Sequence, residues 1–142
     1  HQRVRTFLEG LANHLWLADG RLAVAHAGIK QAMIGRDSGA VREFCLYGDT
    51  SGGTDEAGLP IRYHWAAEYC GQTAIVYGHT PVADPAWVNN TLCIDTGCCF
   101  GGKLTALRWP ENDVVSVPAL ATYAEQRRAF GHPPVRPSNE TN

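Results

Sequence analysis

Two apolar runs, each ending in a histidine next to a glycine, constrain the fold of this chain more than any other feature. The first run is Leu22 to Gly28, with His26 near its end, and the second is Ala74 to Thr80, with His79. Short runs rich in valine, isoleucine and alanine are typical of buried β-strands. A strand that ends in histidine beside glycine places an imidazole at a sheet edge, where the backbone can approach a ligand closely. The two strand ends could therefore share one metal ion.

A third apolar run, Thr91 to Asp95, carries a carboxylate to its end. One histidine at the end of an apolar strand is more often structural than functional, but the repetition at three strand ends favours a site. Imidazole nitrogen and carboxylate oxygen suit manganese, iron or zinc, whereas magnesium and calcium prefer oxygen ligands throughout. The three strand ends, with His26, His79 and Asp95, could therefore form one metal site, and its chemistry would be hydrolytic.

The remaining pattern predicts a mixed α+β fold. Helices are predicted at about residues 3–16, 41–46 and 61–70, strands at 21–26, 73–77 and 91–95, and an antiparallel hairpin over 103–117. The glycine-rich stretch from Gly48 to Asp55 has no lysine, so we interpret it as an exposed loop and not as a nucleotide-binding phosphate loop. Residues 1–123 are assigned to one domain, and residues 124–142, rich in arginine and proline, to a tail or linker.

Composition excludes several classes of protein. The 142 residues carry a net charge of −2, which gives no basic field of the kind that nucleic-acid binders usually carry. No apolar run reaches the roughly 20 residues that span a bilayer, so no membrane association is expected. The five cysteines lack Cys-x-x-Cys spacing, which predicts plain thiols in a reducing cytoplasm. Because the chain starts without methionine or a signal segment, we expect it to be part of a longer product.

Two of these runs also carry a family resemblance. Val24 to Gly28 and Val76 to Pro81 look like the last two metal-binding motifs of calcineurin-like metallophosphoesterases. The resemblance covers roughly residues 7 to 118. Within that superfamily, the sequence is most similar to the phosphatase module of bacterial polynucleotide kinase-phosphatases, which are RNA repair enzymes. The other stretches that carry it are Phe44 to Thr50, Thr54 to Pro60, Cys93 to Gly97 and Phe100 to Leu107.

The resemblance implies a fold and an activity. The fold would be the C-terminal half of an αββα metallophosphatase sandwich. His26 and His79 would bind the same ion of a two-metal pair, with manganese expected, and Asp95 would be an active-site residue that supports the metal or phosphate site. Two divalent ions generate hydroxide and stabilise the departing ester oxygen, so no covalent nucleophile is needed. The expected substrates are phosphomonoesters, in particular the terminal phosphates of broken RNA or DNA.

The sequence also departs from that family. Its first motifs, Gly-Asp-x-His-Gly, Gly-Asp-x-x-Asp-Arg-Gly and Gly-Asn-His-Asp or Glu, do not occur in these residues. Two histidines and one carboxylate are too few ligands to hold an ion firmly. We therefore expect this chain alone to be nearly inactive, and we expect a missing N-terminal half of the domain, in the same or another chain, to complete the site.

Three alternatives remain open from the sequence. A protein serine/threonine phosphatase or a dinucleoside polyphosphate hydrolase of the same superfamily would share both histidine motifs, because motifs of this kind do not determine the substrate. A catalytically inert fragment or subunit would lack the first motifs. Separately, the stretch from Arg62 to Trp65 could bind a nucleotide by charge and stacking, although packing of a short helix explains it as well.

Overall fold

The computed structural model describes residues 1–56 and 58–137, and within them the chain forms a mixed α+β fold, as predicted. The helices are α1 (Gln2–Glu9) and α2 (Gly39–Tyr47), with short 3₁₀ turns at Gln31–Met33 and Trp65–Glu68. The strands are β1 (His14–Leu17), β2 (Leu22–Ala25), β3 (Asp49–Thr54), β4 (Pro60–Tyr63), β5 (Ala74–Tyr77), β6 (Trp87–Val88), β7 (Thr91–Cys93), β8 (Asp95–Thr96), β9 (Lys103–Arg108) and β10 (Asp113–Pro118).

The main sheet places the ends of its central strands at one edge. Its strand order is β1-β2-β5-β7-β6, in which β2, β5 and β7 run parallel while β1 and β6 pair antiparallel to their neighbours. A second sheet has the order β10-β9-β8, and β3 pairs with β4. Because the carboxyl ends of parallel strands meet at the same edge of a sheet, the residues after β2, β5 and β7 lie close together.

The core is formed on both faces of the main sheet. On one face, Phe44 and Cys45 of α2 belong to the same buried cluster as Trp65 and Ile75. The helix begins where the Ser38 hydroxyl accepts a hydrogen bond from the backbone N–H of Val41, which satisfies an otherwise unpaired donor. On the other face a smaller cluster brings residues of β2 and β5 against side chains from the β9 region. The sheet that carries the two histidine motifs is therefore buried on both sides.

The predicted helix over residues 3–16 is wrong in its second half. Helix α1 ends at Glu9 and buries none of its residues, and Leu15 lies in β1 instead. Leu15 pairs with Val24 of β2 in an antiparallel register, so the hydrogen bonds of the sheet replace those of a helix. The three- to four-residue spacing of apolar residues continues across this boundary and gives no sign of it.

The predicted helix over residues 61–70 and the predicted loop from Gly48 to Asp55 are also wrong. The two segments instead form the hairpin of β3 and β4, with Asp49 opposite Tyr63. A single 3₁₀ turn follows at Trp65–Glu68. Strand β3 consists of aspartate, threonine, serine and glycine and is mostly exposed, so it lacks the alternating hydrophobic pattern that identifies a strand.

The segment after β10 contains no helix or strand up to residue 137, but it packs back onto the domain. We call residues 126–136 the strap. The Gly131 N–H donates to the carbonyl of Pro81 at 2.9 Å, and the His64 N–H donates to the carbonyl of Pro134 at 2.8 Å. The part of the predicted tail beyond residue 137 lies outside the described residues.

Two further features complete the fold. The five cysteines are all free, and two of them, Cys45 and Cys93, are buried. Burial raises the pKa of each of these two thiols to about 11, which makes them poor nucleophiles at neutral pH. Among the described helices, none has the length and apolar character required to cross a membrane.

Candidate functional site

The two predicted histidines follow neighbouring parallel strands. Val24 of β2 lies opposite Val76 of β5, so His26 and His79 emerge together at the carboxyl edge of the sheet. The backbone N–H of Gly78 donates to the carbonyl of His26 at 2.8 Å and extends the pairing by one further hydrogen bond. His79 itself has a positive φ of 73°, a conformation uncommon for a residue with a side chain. The backbone therefore turns sharply at the histidine, as is common at functional sites.

The imidazoles of His26 and His79 converge. Nε2 of His26 lies 2.9 Å from Nδ1 of His79, and the ring centroids are 4.7 Å apart with the planes inclined at 62°. His26 is exposed and His79 is half-buried, so the pair faces solvent from one side. The structure thus brings the two histidines together in space across 53 residues of sequence.

Arg62 of β4 completes a chain of three polar side chains. Its Nη2 lies 3.0 Å from Nε2 of His79, and its Nε donates to the carbonyl of Tyr47 at 3.3 Å. A guanidinium can only donate, so Nε2 of His79 is the acceptor. The neutral His79 ring then carries its proton on Nδ1 and donates it to Nε2 of His26.

The surroundings of His79 favour its neutral form. Burial lowers the pKa of His79 to about 4, and the charges of Arg62 and His26 act in the same direction. The nearby carboxylate of Asp95 acts in the opposite direction but does not prevail. Neutral imidazole is the form that binds metals. His79 is therefore neutral throughout the physiological pH range, and it can bind a metal through Nδ1 once its proton moves to Nε2 and the hydrogen bond from Arg62 is lost.

Asp95 lies at the same edge, where the chain passes from the main sheet into β8. One carboxylate oxygen accepts a hydrogen bond from the Gly97 N–H at 3.0 Å, which orients the group. A side chain at Gly78 would bring its Cβ to 3.0 Å from the Cβ of Asp95, so this glycine permits the close approach. Among the described residues, Asp95 forms no ion pair with His26 or His79. The carboxylate is near the pair without being bound to it.

The donor set fits part of a metal site. Two ligand nitrogens bound at about 2.1 Å and at a right angle to each other are separated by about 3 Å, close to the distance between the two imidazole nitrogens here. Within the described residues, however, no group of three or more histidine, cysteine, aspartate or glutamate side chains is arranged to hold an ion. The described part of the chain can therefore supply two nitrogen ligands but not a complete coordination shell.

Two cavities flank the histidine pair. One, of about 770 Å³, opens beside β1 and β2 and is lined by His26, His79 and Asp95 together with apolar residues such as Leu11 and Leu15. The other, of about 570 Å³, lies between the hairpin of β3 and β4 and the strap, and it also reaches His79. The histidine pair thus lies between the two cavities, and two parts of one bound molecule could reach it from different sides.

Sequence reasoning missed Arg62 as a neighbour of His79. It assigned the residue to a helix, whereas Arg62 lies on a strand beside the buried Tyr63. The contact depends on a hairpin folding across the sheet edge, and no local pattern encodes that. The alternation of Arg62 and His64 around an aromatic residue was the one available signal of a strand.

Comparison with known proteins identifies similar tetraphosphatases. The chain is 54% identical over 115 residues to an asymmetrical bis(5′-nucleosyl)-tetraphosphatase PrpE from Anoxybacillus flavithermus; the match covers 80% of the chain and 47% of that relative. It is 52% identical over 111 residues to the protein of the same name from Bacillus cereus, where it covers 78% of the chain and 45% of the relative. No protein-family model matches the chain.

A solved structure shows the same fold. The crystal structure of a protein assigned as a diadenosine tetraphosphatase superimposes with a TM-score of 0.58 at 22% sequence identity, covering 82% of this chain and 55% of that protein. At this identity the likeness concerns the fold, which agrees with the mixed α+β prediction. The chain spans about half the length of the curated relatives that it matches.

These similarities fit a metallophosphoesterase, as the sequence motifs indicated, but not the polynucleotide kinase-phosphatase module. They favour the dinucleoside polyphosphate hydrolase that the sequence left open as an alternative, and they give no support to the phosphatase of RNA or DNA ends. The roles of His26, His79 and Asp95 stay predictions.

Proposed function

We propose that this chain forms part of a metal-dependent hydrolase that cleaves dinucleoside tetraphosphates. The observation that carries the proposal is the 2.9 Å approach of Nε2 of His26 to Nδ1 of His79 at the carboxyl edge of two parallel strands. The similarity to bis(5′-nucleosyl)-tetraphosphatases over four-fifths of the chain supports the same conclusion and suggests the substrate.

The two histidines would hold one divalent cation, and we propose manganese, which accepts both nitrogen and oxygen ligands. When bound, such a cation polarises phosphate oxygens and supplies hydroxide at neutral pH. The remaining ligands would come from residues outside these 142, in the same product or in a second chain, because His26 and His79 alone leave most of the coordination shell open.

Arg62 and Asp95 would act on the substrate and on the attacking water. The Arg62 guanidinium lies next to His79 and can donate two parallel hydrogen bonds to two oxygens of a phosphate. The Asp95 carboxylate, oriented by the Gly97 N–H, would accept a hydrogen bond from the attacking water. Electrostatic stabilisation of the phosphate charge by fixed donors of this kind is usually the largest contribution to catalysis.

The relatives are named asymmetrical, so we propose the same outcome for the complete protein. The water oxygen forms a bond to one phosphorus while a phosphoanhydride P–O bond breaks. The products are a nucleoside triphosphate and a nucleoside monophosphate, and the proton from water is released to solvent.

The test is a chimera in which this chain replaces the matching part of the Anoxybacillus flavithermus relative. We expect the chimera to convert diadenosine tetraphosphate into ATP and AMP with Mn²⁺, measured by chromatography of the products. H26A and H79A should each lower kcat/KM by at least about a hundredfold. The matched control is H1A, because His1 is exposed and lines neither of the two cavities beside the histidine pair.

Three outcomes would contradict the proposal. The first is full turnover in both H26A and H79A, which would exclude them as ligands. The second is no hydrolysis of diadenosine tetraphosphate by a folded chimera loaded with Mn²⁺. The third is release of phosphate from 3′- or 5′-phosphorylated RNA ends in preference to cleavage of the dinucleotide, which would restore the end-repair interpretation.

A further inference from the structure

We propose that the cavity between the strap and the hairpin of β3 and β4 binds one nucleoside of the substrate. This inference rests on the proposed function, since it assigns the binding site for a part of the same substrate. One wall of this cavity is the strap, which lies in the segment that the sequence assigned to a tail.

The strap forms one wall of this cavity and is held in place at several points. Arg128 pairs with Asp55, and the Gly131 N–H donates to the carbonyl of Pro81. Farther along, Arg136 donates to the buried Asp49 at 2.6 Å. These contacts hold the strap in place as a wall of the cavity, whose volume of about 570 Å³ lies within the range of small-molecule sites.

Aromatic side chains line the cavity. Phe100, from the loop after β8, and Phe130, from the strap, both line it, with ring centroids 6.2 Å apart and planes inclined at 54°. Phe130 reaches this position because Gly97 has no side chain, and a Cβ there would lie 2.2 Å from the ring. Both phenylalanines are only half-buried, so part of each ring is open to a ligand. Every nucleobase has a flat π-face that stacks on rings of this kind.

The same cavity reaches the proposed phosphate site. Arg62 and His79 line it, and they are in contact with each other at 3.0 Å. A ligand that places an aromatic group among Phe100 and Phe130 would therefore have a guanidinium available for an attached phosphate. Inorganic phosphate would use only the charged residues, and a folded protein partner would not fit into the volume. The combination favours a nucleoside phosphate.

The experiment measures binding to the full chain, with AMP and ribose 5-phosphate as probes. These two compounds carry the same sugar and phosphate and differ only in the base. We expect AMP to bind about tenfold more tightly than ribose 5-phosphate by isothermal titration. F100L should remove this preference, F100Y should keep it because the ring remains, and F7L, on exposed α1, should leave it unchanged.

A second measurement needs no variant. In saturation-transfer NMR with the unmodified chain, the adenine H2 and H8 protons of AMP should receive more saturation than the ribose protons, because the base would be the part in contact with the rings. Both probes would compete for Arg62, so ribose 5-phosphate at the same concentration as AMP should lower the adenine signal only slightly.

The outcomes separate this proposal from the proposed activity. Equal affinity for AMP and ribose 5-phosphate would overturn the nucleoside site even if the chimera hydrolyses diadenosine tetraphosphate. An equal loss for both probes in F100L would also overturn it, since that indicates a structural role for the ring. Conversely, a clear preference for AMP in a chain whose chimera is inactive would support the site and overturn the activity.

Discussion

The indole of Trp65 lies directly against Gly28, in the space that a side chain at residue 28 would occupy. A Cβ on Gly28 would lie 2.2 Å from Cζ2 of Trp65, and the residue has a φ of 117°. The indole N–H also donates to the carbonyl of Ala27 at 3.2 Å. Because Trp65 contacts the rings of Phe44 and Tyr77, the turn that follows His26 is attached to the buried core.

This contact predicts that Gly28→Ala is strongly destabilising. The substitution combines backbone strain with overpacking against the indole, and we expect a loss of about 3 kcal/mol in the free energy of unfolding. Gly52→Ala is the matched control, because Gly52 also has a positive φ, of 80°, but faces open space. It should cost about 1 kcal/mol. Urea denaturation of both variants measures the difference, and equal losses would contradict the packing argument.

The hydrogen bond from Arg62 to His79 predicts opposite effects of Arg62→Met on metal binding and on catalysis. The bond holds the His79 proton on Nδ1, the nitrogen that faces His26, and the guanidinium adds a positive charge beside the pair. Removing it should tighten Mn²⁺ binding by the chimera about tenfold. It should also lower kcat/KM about a hundredfold, since a phosphate-binding donor is lost.

Electron paramagnetic resonance titration of free Mn²⁺ measures the affinity, and hydrolysis of diadenosine tetraphosphate at saturating metal measures catalysis. The matched control is Arg3→Met, because Arg3 is exposed on α1. Weaker Mn²⁺ binding in the Arg62 variant would show that the guanidinium supports the metal site and does not compete with it.

Asp95→Asn should reduce activity without unfolding the protein. The asparagine side chain keeps an oxygen that can accept from the Gly97 N–H, so the loop should retain its structure. Loss of the negative charge should lower kcat/KM of the chimera by about 10- to 100-fold. Circular dichroism confirms the fold, and product chromatography measures the rate. Asp84→Asn is the control, since Asp84 is exposed and pairs with Lys103 instead. An unchanged rate would remove Asp95 from the site.

The stacked pair of His64 and His132 predicts that the protein loses stability below about pH 6.5. The rings are 4.1 Å apart and inclined at 13°, and the buried Nε2 of His64 has no hydrogen-bond partner among the described residues. Burial lowers the pKa of His64 from its ordinary value of 6.5, and the charge of His132 adds to the effect. Burial also lowers the pKa of His132.

Because the unfolded chain binds more protons than the folded chain in this range, the free energy of unfolding falls as the pH drops below 6.5. Above that value both states are neutral at these positions and stability is at its full value. Urea midpoints at pH 7.5 and 5.5 measure the decrease, and His64→Phe should reduce it while keeping an aromatic ring against His132. Because His79 is present in both proteins, its contribution to the pH dependence of stability is the same in both and does not affect the comparison. A decrease of equal size in both proteins would contradict the assignment.

Local patterns were sufficient to predict the central strands and the position of the two histidines just after them. The apolar runs before His26 and His79 predicted β2 and β5, and the short helix around residues 41–46 and the hairpin over 103–117 are present as α2 and as β9 with β10. These elements are buried or strongly patterned, so the spacing of apolar residues in their sequences matches the repeat of the helix or strand that they form. The third apolar run, Thr91 to Asp95, was also predicted as a strand that ends beside the two histidines.

Other elements were not visible in the sequence because their stability comes from distant partners. The hairpin of β3 and β4 is polar and largely exposed, β1 is a strand because it pairs with β2, and the strap packs on a surface 50 or more residues away along the chain. Arg62 meets His79 only through the first of these arrangements.

By itself, the sequence determined which strands are buried and which of them end in histidine. A buried strand requires a run of apolar residues, and such runs can be recognised directly in the sequence. The tertiary structure alone decided that the two imidazoles face each other at 2.9 Å, that a guanidinium adjoins them and that a polar C-terminal segment encloses a cavity beside them. Such contacts join residues far apart in the chain through hydrogen bonds and shape, and no local pattern records those partners.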